Sequence, residues 1–285
     1  MLEVEQRIEN EQTEKEQLES NKEQKQETNE KIEVKPQTDT RFDLARALGK
    51  TESGLKNEFY DYQIKGFMAK TGCFNDEVQE NFSETDGFTS LIKSGVGEYA
   101  VTPYFFSGLK GAQKKVKDSP LKFTAILDFP KGESSYYARL ADVKQATKRG
   151  FKSIMITVPD IALFLKNPSK TKMQLNRLSK ISKNRLGLIV NSNGDNEKLK
   201  KALAHLMSVK AERLVLRING EERDCVSTFT KTALTYSGKK KLFVCIDSEK
   251  TDIVAELLSL KVDGVYLKNP LVVSKELQEK FSVNI

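Results

Sequence analysis

Short runs of apolar residues recur along the chain from Gly97 onward. The starts of seven such runs are separated by 21 to 33 residues. Because these runs lack polar alternation, they are typical of strands that are buried on both faces, as in parallel sheets. The seven predicted strands are Glu98–Tyr104, Phe123–Pro130, Ser153–Pro159, Leu186–Asn191, Arg213–Asn219, Leu242–Asp247 and Asp263–Lys268.

Amphipathic segments fill the intervals between these runs. In Tyr136–Arg149, for example, Leu140 and Val143 fall on one side of a helix. Asp195 stands where it would cap the N-terminus of a helix over Glu197–Val209. The other predicted helices are Lys172–Lys183, Asp224–Tyr236, Thr251–Leu260 and Lys275–Phe281.

The alternation of strands with helices predicts an α/β protein. Both a (β/α)8 barrel of the TIM type and a doubly wound sheet fit this order, and the repeat spacing favours the barrel. In a barrel, function sits at the C-terminal ends of the strands. An eighth strand would then have to precede Glu98, and the position predicted for it is Gln63–Ala69.

The first 40 residues differ from the rest of the chain. Met1–Lys35 contains eleven acidic and six basic residues and few aliphatic ones. Such a segment buries too little apolar surface to offset the entropy of ordering, so residues 1–40 are predicted to be a disordered acidic arm. Residues 41–285 are predicted to form the barrel domain, with 41–87 as a helical cap at its N-terminal side.

Composition and charge limit the kinds of partner and the cellular compartment that we expect. The net charge is +7, and residues 36–285 carry +12, but their lysines are spread over many predicted helices. We therefore do not expect nucleic acid to be the partner. No apolar run approaches a membrane span, and three scattered cysteines favour a reducing cytoplasm. No cofactor is predicted.

One corner of the chain resembles a known enzyme family. The apolar strand at Phe123 runs through Leu127-Asp-Phe-Pro-Lys-Gly132 into a helix that Ser135 caps. This corner is similar to the Ile-Gly-Phe-Pro-x-Gly motif of deoxyribose-phosphate aldolases, and Glu98–Tyr104 and Ala141–Gly150 resemble the neighbouring strand and helix of that family. The resemblance implies a TIM barrel that forms a Schiff base on a barrel lysine and binds a sugar phosphate.

The family's functional positions are occupied by other residues in this chain. The resemblance places Met155 where the family has an aspartate, and Val215 or Arg217 where it has the Schiff-base lysine. Cys245 stands at the second lysine, and the phosphate-binding glycines after it are replaced. Since a guanidinium cannot supply the amine of a Schiff base, we predict that this aldolase chemistry is lost. The barrel would then serve as a binding or interaction module.

A second hypothesis is a working carbon–carbon lyase whose chemistry has moved to other strand ends. Its candidate catalytic residues are Lys268, Arg217 and Asp128. Its candidate substrate-binding residues are Lys131, Asn191, Asn219 and Asp247. The aspartates and asparagines of this set could also hold a divalent cation, but such residues commonly cap loops, and no metal site is predicted.

The two hypotheses differ in the barrel mouth and in the partner. A lyase needs a concave mouth lined by several convergent polar groups, and it would bind a small sugar phosphate or another anion. A module should show a mouth filled by apolar side chains, listed as Met155, Leu216, Tyr266 and Leu267. In that case a protein partner of the acidic arm becomes the expected ligand.

Overall fold

The computed structural model describes residues 64–75, 84–103, 111, 114, 118–119, 121–218, 223–236, 240–248, 250–260 and 262–281. The acidic arm predicted for residues 1–40 lies outside these ranges, as does most of the predicted cap. The candidate binding residue Asn219 also lies outside them.

Eight parallel strands form a closed barrel in which each strand pairs with its neighbours in sequence order. The last strand pairs with the first, with Tyr266 opposite Gly72, so the sheet has no free edge. This confirms the predicted (β/α)8 barrel. The strands are β1 Thr71–Asn75, β2 Glu98–Val101, β3 Lys122–Leu127, β4 Ser153–Thr157, β5 Leu186–Asn191, β6 Arg213–Ile218, β7 Lys241–Ile246 and β8 Gly264–Leu267.

Helices follow the strands and form the outer layer. The helix predicted over Tyr136–Arg149 has these bounds in the structure, with the Ser135 hydroxyl accepting from the Ala138 N–H and Gly150 ending it at a φ of 94°. Asp195 caps the N-terminus of the helix that was predicted over Glu197–Val209, as expected. The helices are α1 Glu84–Lys93, α2 Tyr136–Arg149, α3 Ile161–Lys166, α4 Pro168–Ile181, α5 Asn196–Leu206, α6 Arg223–Thr235, α7 Thr251–Ser259 and α8 Pro270–Phe281.

The predicted position of the first strand was wrong. Residues 64–68 are helical, and β1 comes after them, within the segment assigned to a cap. The reason is that β1 contains a glycine and ends in asparagine, so its apolar run is too short to stand out. Gly72 is required there, because a Cβ at this position would lie 2.4 Å from Cδ1 of the Tyr266 ring.

Side chains that alternate along the strands build two apolar layers. One layer packs between the strands and the helices, and it contains Leu216 and Leu267. The other fills the inside of the barrel, and it contains Met155 and Tyr266. The expectation that all four residues would fill the barrel was therefore wrong for the two leucines, which face the helices.

Candidate functional site

The inside of the barrel, beneath the mouth formed by the strand C-termini, is filled by one buried side chain from each strand. Each of these side chains belongs to a residue that is at most 6% exposed. The eight residues are Phe74, Ala100, Ile126, Met155, Ile189, Val215, Cys245 and Tyr266. We refer to this set as the inner layer.

The inner layer contains the positions at which the family resemblance expected chemistry. Met155, Val215 and Cys245 are all part of it. Arg217, two residues further along β6, lies next to Cys245 in the register of β6 and β7. Of the two residues offered for the Schiff-base position, the structure therefore places Val215 among the apolar side chains of the interior.

An aromatic side chain from the β3–α2 corner covers this layer. The ring of Phe129 packs edge-on against Phe74, with 5.1 Å between centroids. The guanidinium of Arg217 also stacks on the Phe129 ring, with 4.9 Å between its central carbon and the ring centroid. The candidate catalytic residue Arg217 thus contacts the cover of the mouth, and both side chains are half-buried.

The candidate residue Asp128 holds the same corner in place. Its carboxylate accepts from Nε of Arg139 at 2.7 Å and from the Ser134 N–H at 3.0 Å. Arg139 also donates to the carbonyl of Gly132, and both partners of the ion pair are nearly fully buried. Asp128 itself has a φ of 55°, a conformation that aspartate tolerates better than most residues. The sequence analysis did not identify Arg139, which acts here as the corner's buried cation.

Asn191 joins the end of β5 to this corner. Its side-chain N–H donates to the carbonyl of Pro130 at 2.7 Å. Its Oδ1 atom is buried and has no hydrogen-bond partner among the described residues. Lys131, the next residue of the corner, is exposed. Asp128 and Lys131 are therefore parts of one folded loop, and Asn191 is joined to that loop from the end of β5.

Lys268 and Asp247 form a separate pair at the ends of β8 and β7. The ammonium and carboxylate are 3.7 Å apart, and the two side chains are 45% and 63% exposed. Ion pairs of this exposure contribute little to stability. In the part of the chain that the structure describes, no three His, Cys, Asp or Glu side chains come together as metal ligands would.

The opposite, N-terminal end of the barrel holds a buried ionic network. Nη1 of Arg213 donates to the two carboxylate oxygens of Glu98 at 2.9 and 2.7 Å. It also donates to the hydroxyl of Tyr266 at 2.8 Å, and Thr124 donates to Glu98. Burial, with the Glu98 carboxylate adding to it, raises the pKa of Tyr266 well above its usual value. We refer to these four residues as the basal network.

A cavity of about 240 Å³ adjoins the basal network. Most of the residues around it stand at or just before the starts of six strands, which places the cavity at the end of the barrel opposite the mouth. Sequence reasoning missed both features, because it searched only the C-terminal ends of the strands.

No family model matches the sequence, and no curated protein gives a significant match to it. Solved structures do match. A proposed deoxyribose-phosphate aldolase from Coccidioides immitis has 12% identity and a TM-score of 0.65, covering 80% of this chain and all of that one. A tetrameric deoxyribose phosphate aldolase from Aeropyrum pernix has 12% identity and a TM-score of 0.61, with 81% and 99% coverage.

A third match extends the same set. A proposed deoxyribose-phosphate aldolase from Toxoplasma gondii has 14% identity and a TM-score of 0.59, covering 79% of this chain and 97% of that one. This chain has the fold of these aldolases. At such identities the likeness concerns the fold alone. Within the described residues, no helix is long and apolar enough to cross a membrane.

Proposed function

We propose that this protein is a divergent barrel of the deoxyribose-phosphate aldolase type that has lost Schiff-base chemistry and serves as a binding or interaction module. The observation that carries the proposal is the inner layer. Each strand contributes one buried residue to it, and the eight side chains include no amine.

The chemistry of a Schiff base explains why this layer matters. The reaction needs a primary amine that can lose its proton and reach a carbonyl carbon in the barrel. Val215 has no amine, and Arg217 has a guanidinium in place of a primary amine. Phe129 also lies over the layer, in contact with Phe74, where the carbonyl of a substrate would have to enter.

The alternative, a lyase that uses a relocated lysine, depends on Lys268. Its ammonium follows β8 and lies 3.7 Å from the Asp247 carboxylate. Its ammonium is thus already paired with a carboxylate, whereas a Schiff base needs an amine that is free to attack a carbonyl. The exposure of the pair also leaves the site in water, where a catalytic amine gains little from desolvation.

Reductive trapping tests the proposal. The full chain is treated with borohydride in the presence of acetaldehyde or deoxyribose 5-phosphate, beside a genuine aldolase, and adducts are mapped by intact mass and peptide analysis. We expect slow, scattered labelling of surface lysines at the level seen for the matched Lys268→Gln variant. A single stoichiometric adduct that maps to Lys268 and is missing from Lys268→Gln would overturn the proposal.

A second variant controls for the assay on this scaffold. Val215→Lys places an amine in the inner layer, where burial lowers the pKa of a lysine. If it folds, we expect a borohydride-dependent adduct at position 215, which shows that the assay detects a competent amine in this barrel.

We infer that the acidic segment 1–40 carries the interaction role and that its partner is a protein. We place the protein in the cytoplasm, since Cys73, Cys225 and Cys245 are buried thiols that form no disulfide, which suits a reducing compartment.

A further inference from the structure

A basic surface without acidic residues lies on the outer side of α4. Residues 161–194 contain seven basic residues and no acidic one, although the chain as a whole contains 40 acidic residues. The helix packs on the barrel through Leu175 and Leu178. Side chains from its other side surround a shallow hollow of about 480 Å³ and are referred to here as the basic face. They are Ser169, Lys172, Met173, Asn176, Arg177 and Lys180.

The cations of the basic face are not neutralised by the part of the protein that the structure describes. Within the described ranges, no carboxylate lies within ion-pair distance of Lys172, Arg177 or Lys180. At α5 and α8, by contrast, a lysine pairs with a carboxylate three or four residues away. The basic face therefore presents its full positive charge to a partner.

The charge pattern of α4 also works against the helix itself. Lys170 lies in the first turn, at the positive end of the helix dipole, and that turn has no acidic residue. Arg177 and Lys180 are three residues apart on one side of the helix, where like charges repel each other. Departures from what stabilises an element are expected where its surface has a second role. A negatively charged partner would offset both costs.

Met173 distinguishes between the kinds of negatively charged partner. The residue is 48% exposed and lies among the cations of the basic face. The face has no aromatic side chain on which a nucleic-acid base could stack, and one methionine offers too little apolar surface to hold a helix in a bilayer. A protein segment with carboxylates around one bulky apolar side chain matches both features, because a thioether adapts to many apolar shapes.

We propose that the basic face of α4 docks an acidic segment of a partner protein. Met173 contacts an apolar side chain of that segment, while Lys172, Arg177 and Lys180 bind the carboxylates that flank it. The guanidinium of Arg177 suits a carboxylate because it offers two parallel N–H groups. This surface lies on the outside of the barrel, so the proposal adds a docking site to the proposed function and holds whether or not Schiff-base chemistry is lost.

Nuclear magnetic resonance of the methionine methyl groups tests the proposal on the full chain. Met173 is a suitable reporter, because the other described methionines, Met68, Met155 and Met207, are buried. The probes are a synthetic peptide of glutamates around a central leucine and the same peptide with a central alanine. We expect a saturable shift of the Met173 methyl resonance with both peptides. The leucine peptide should bind about fivefold more tightly, since only leucine buries much apolar surface against the methionine.

Further titrations separate the other possible occupants of this surface. Duplex DNA and vesicles that contain phosphatidylserine are added at the same concentration of negative charge as the leucine peptide. Each should move the Met173 resonance less than the peptide does, and an equal or larger response to either one would contradict the proposal. The protein is also diluted alone. A Met173 shift that follows the concentration of the protein itself would identify a second copy as the occupant, which the proposal does not allow.

Charge variants locate the docking site. Lys172→Gln combined with Arg177→Gln removes two cations from the basic face, keeps residues that favour a helix, and should weaken binding of the leucine peptide about tenfold. The matched control is Lys231→Gln combined with Lys250→Gln, which makes the same change in net charge at two exposed positions, on α6 and just before α7. This control should leave the affinity within about twofold of the parent. Equal weakening by both pairs, or equal affinity for the two peptides, would overturn the proposal.

Discussion

The two ends of this barrel differ in the side chains that they bury. At the C-terminal end, an apolar inner layer is covered by Phe129, and the nearby polar groups hold a loop in place. At the N-terminal end, Glu98 and Arg213 are buried beside a cavity. Buried charges are costly to desolvate, whereas apolar packing is not. Inside the barrel, the buried charges therefore lie opposite the face that TIM barrels use for catalysis, whereas the buried pair of Asp128 and Arg139 at the C-terminal end joins the β3–α2 loop to α2.

Among the tests of this difference between the two ends, the largest effect is expected from removing one partner of the buried ion pair of Glu98 and Arg213. Arg213→Met leaves the Glu98 carboxylate buried without its cation, so we expect a loss of about 3–5 kcal/mol in the free energy of unfolding. Urea denaturation measures this loss. Adding Glu98→Leu to the same variant should recover most of it, because the uncompensated charge is gone. A single variant that is as stable as the parent would show that the pair is not an integral part of the N-terminal end.

A smaller loss of stability is expected at the C-terminal end when the ion pair that holds the β3–α2 corner is removed. Arg139→Met removes the cation from Asp128, whose carboxylate keeps only the Ser134 N–H as a described donor. We expect a loss of about 2–3 kcal/mol in the free energy of unfolding, again by urea denaturation. Lys144→Met, on an exposed position of the same helix, should change stability by less than about 0.5 kcal/mol. Equal effects of the two variants would show that the corner does not depend on Arg139.

The dependence of stability on alkaline pH tests the raised pKa of a buried tyrosine, Tyr99 in β2. Burial raises the pKa of Tyr99 to about 12, and its hydroxyl accepts from the Asn75 side chain at 2.9 Å. The unfolded chain releases this proton near pH 10, so the stabilisation is complete below that value and is lost as the pH rises toward 12. Each such group should contribute about 1.4 kcal/mol per pH unit to this decline. Tyr99→Phe should flatten the stability profile between pH 10 and 12, and an unchanged slope would contradict the assignment.

The smallest effect is expected at the strand ends that the lyase hypothesis would use. Lys268→Gln and Asp247→Asn each break the exposed pair, and we expect less than about 1 kcal/mol from either change. The effect should shrink further at high salt. A loss as large as that of Arg139→Met would mean that the pair contributes to the mouth more than its exposure indicates.

The sequence predicted correctly those helices whose ends are marked by capping residues or glycines next to them. Ser135 and Gly150 fix the ends of α2 by capping and by a left-handed conformation, and both are readable from neighbouring residues. β1 was misplaced because no comparable boundary marks its short run. The prediction of which side chains fill the barrel was correct for two of four residues. A strand that is apolar on both faces does not reveal which alternate set of side chains points inward. Val215 and Leu216 are equally plausible from sequence.

The long-range contacts had no sequence signal. Glu98 and Arg213 are 115 residues apart, and nothing in either neighbourhood indicates that they meet. The cover over the mouth depends on how one loop turns, because Phe129 reaches Phe74 only once β1 and β3 are in the same barrel. The missed parts of the candidate sites are therefore those that depend on closure of the whole sheet.

The pairing of β1 with β8 sets a condition on synthesis of this protein. Thr71 lies opposite Val265, so the seam joins strands that are separated by most of the described chain. At translation rates of about 5–20 residues per second, β1 leaves the ribosome roughly 10 to 40 s before its second partner does. During that interval one of its hydrogen-bonding edges has no strand to bind. A nascent chain that stops before Gly264 keeps that edge open permanently, so the last strand determines whether the first one is protected.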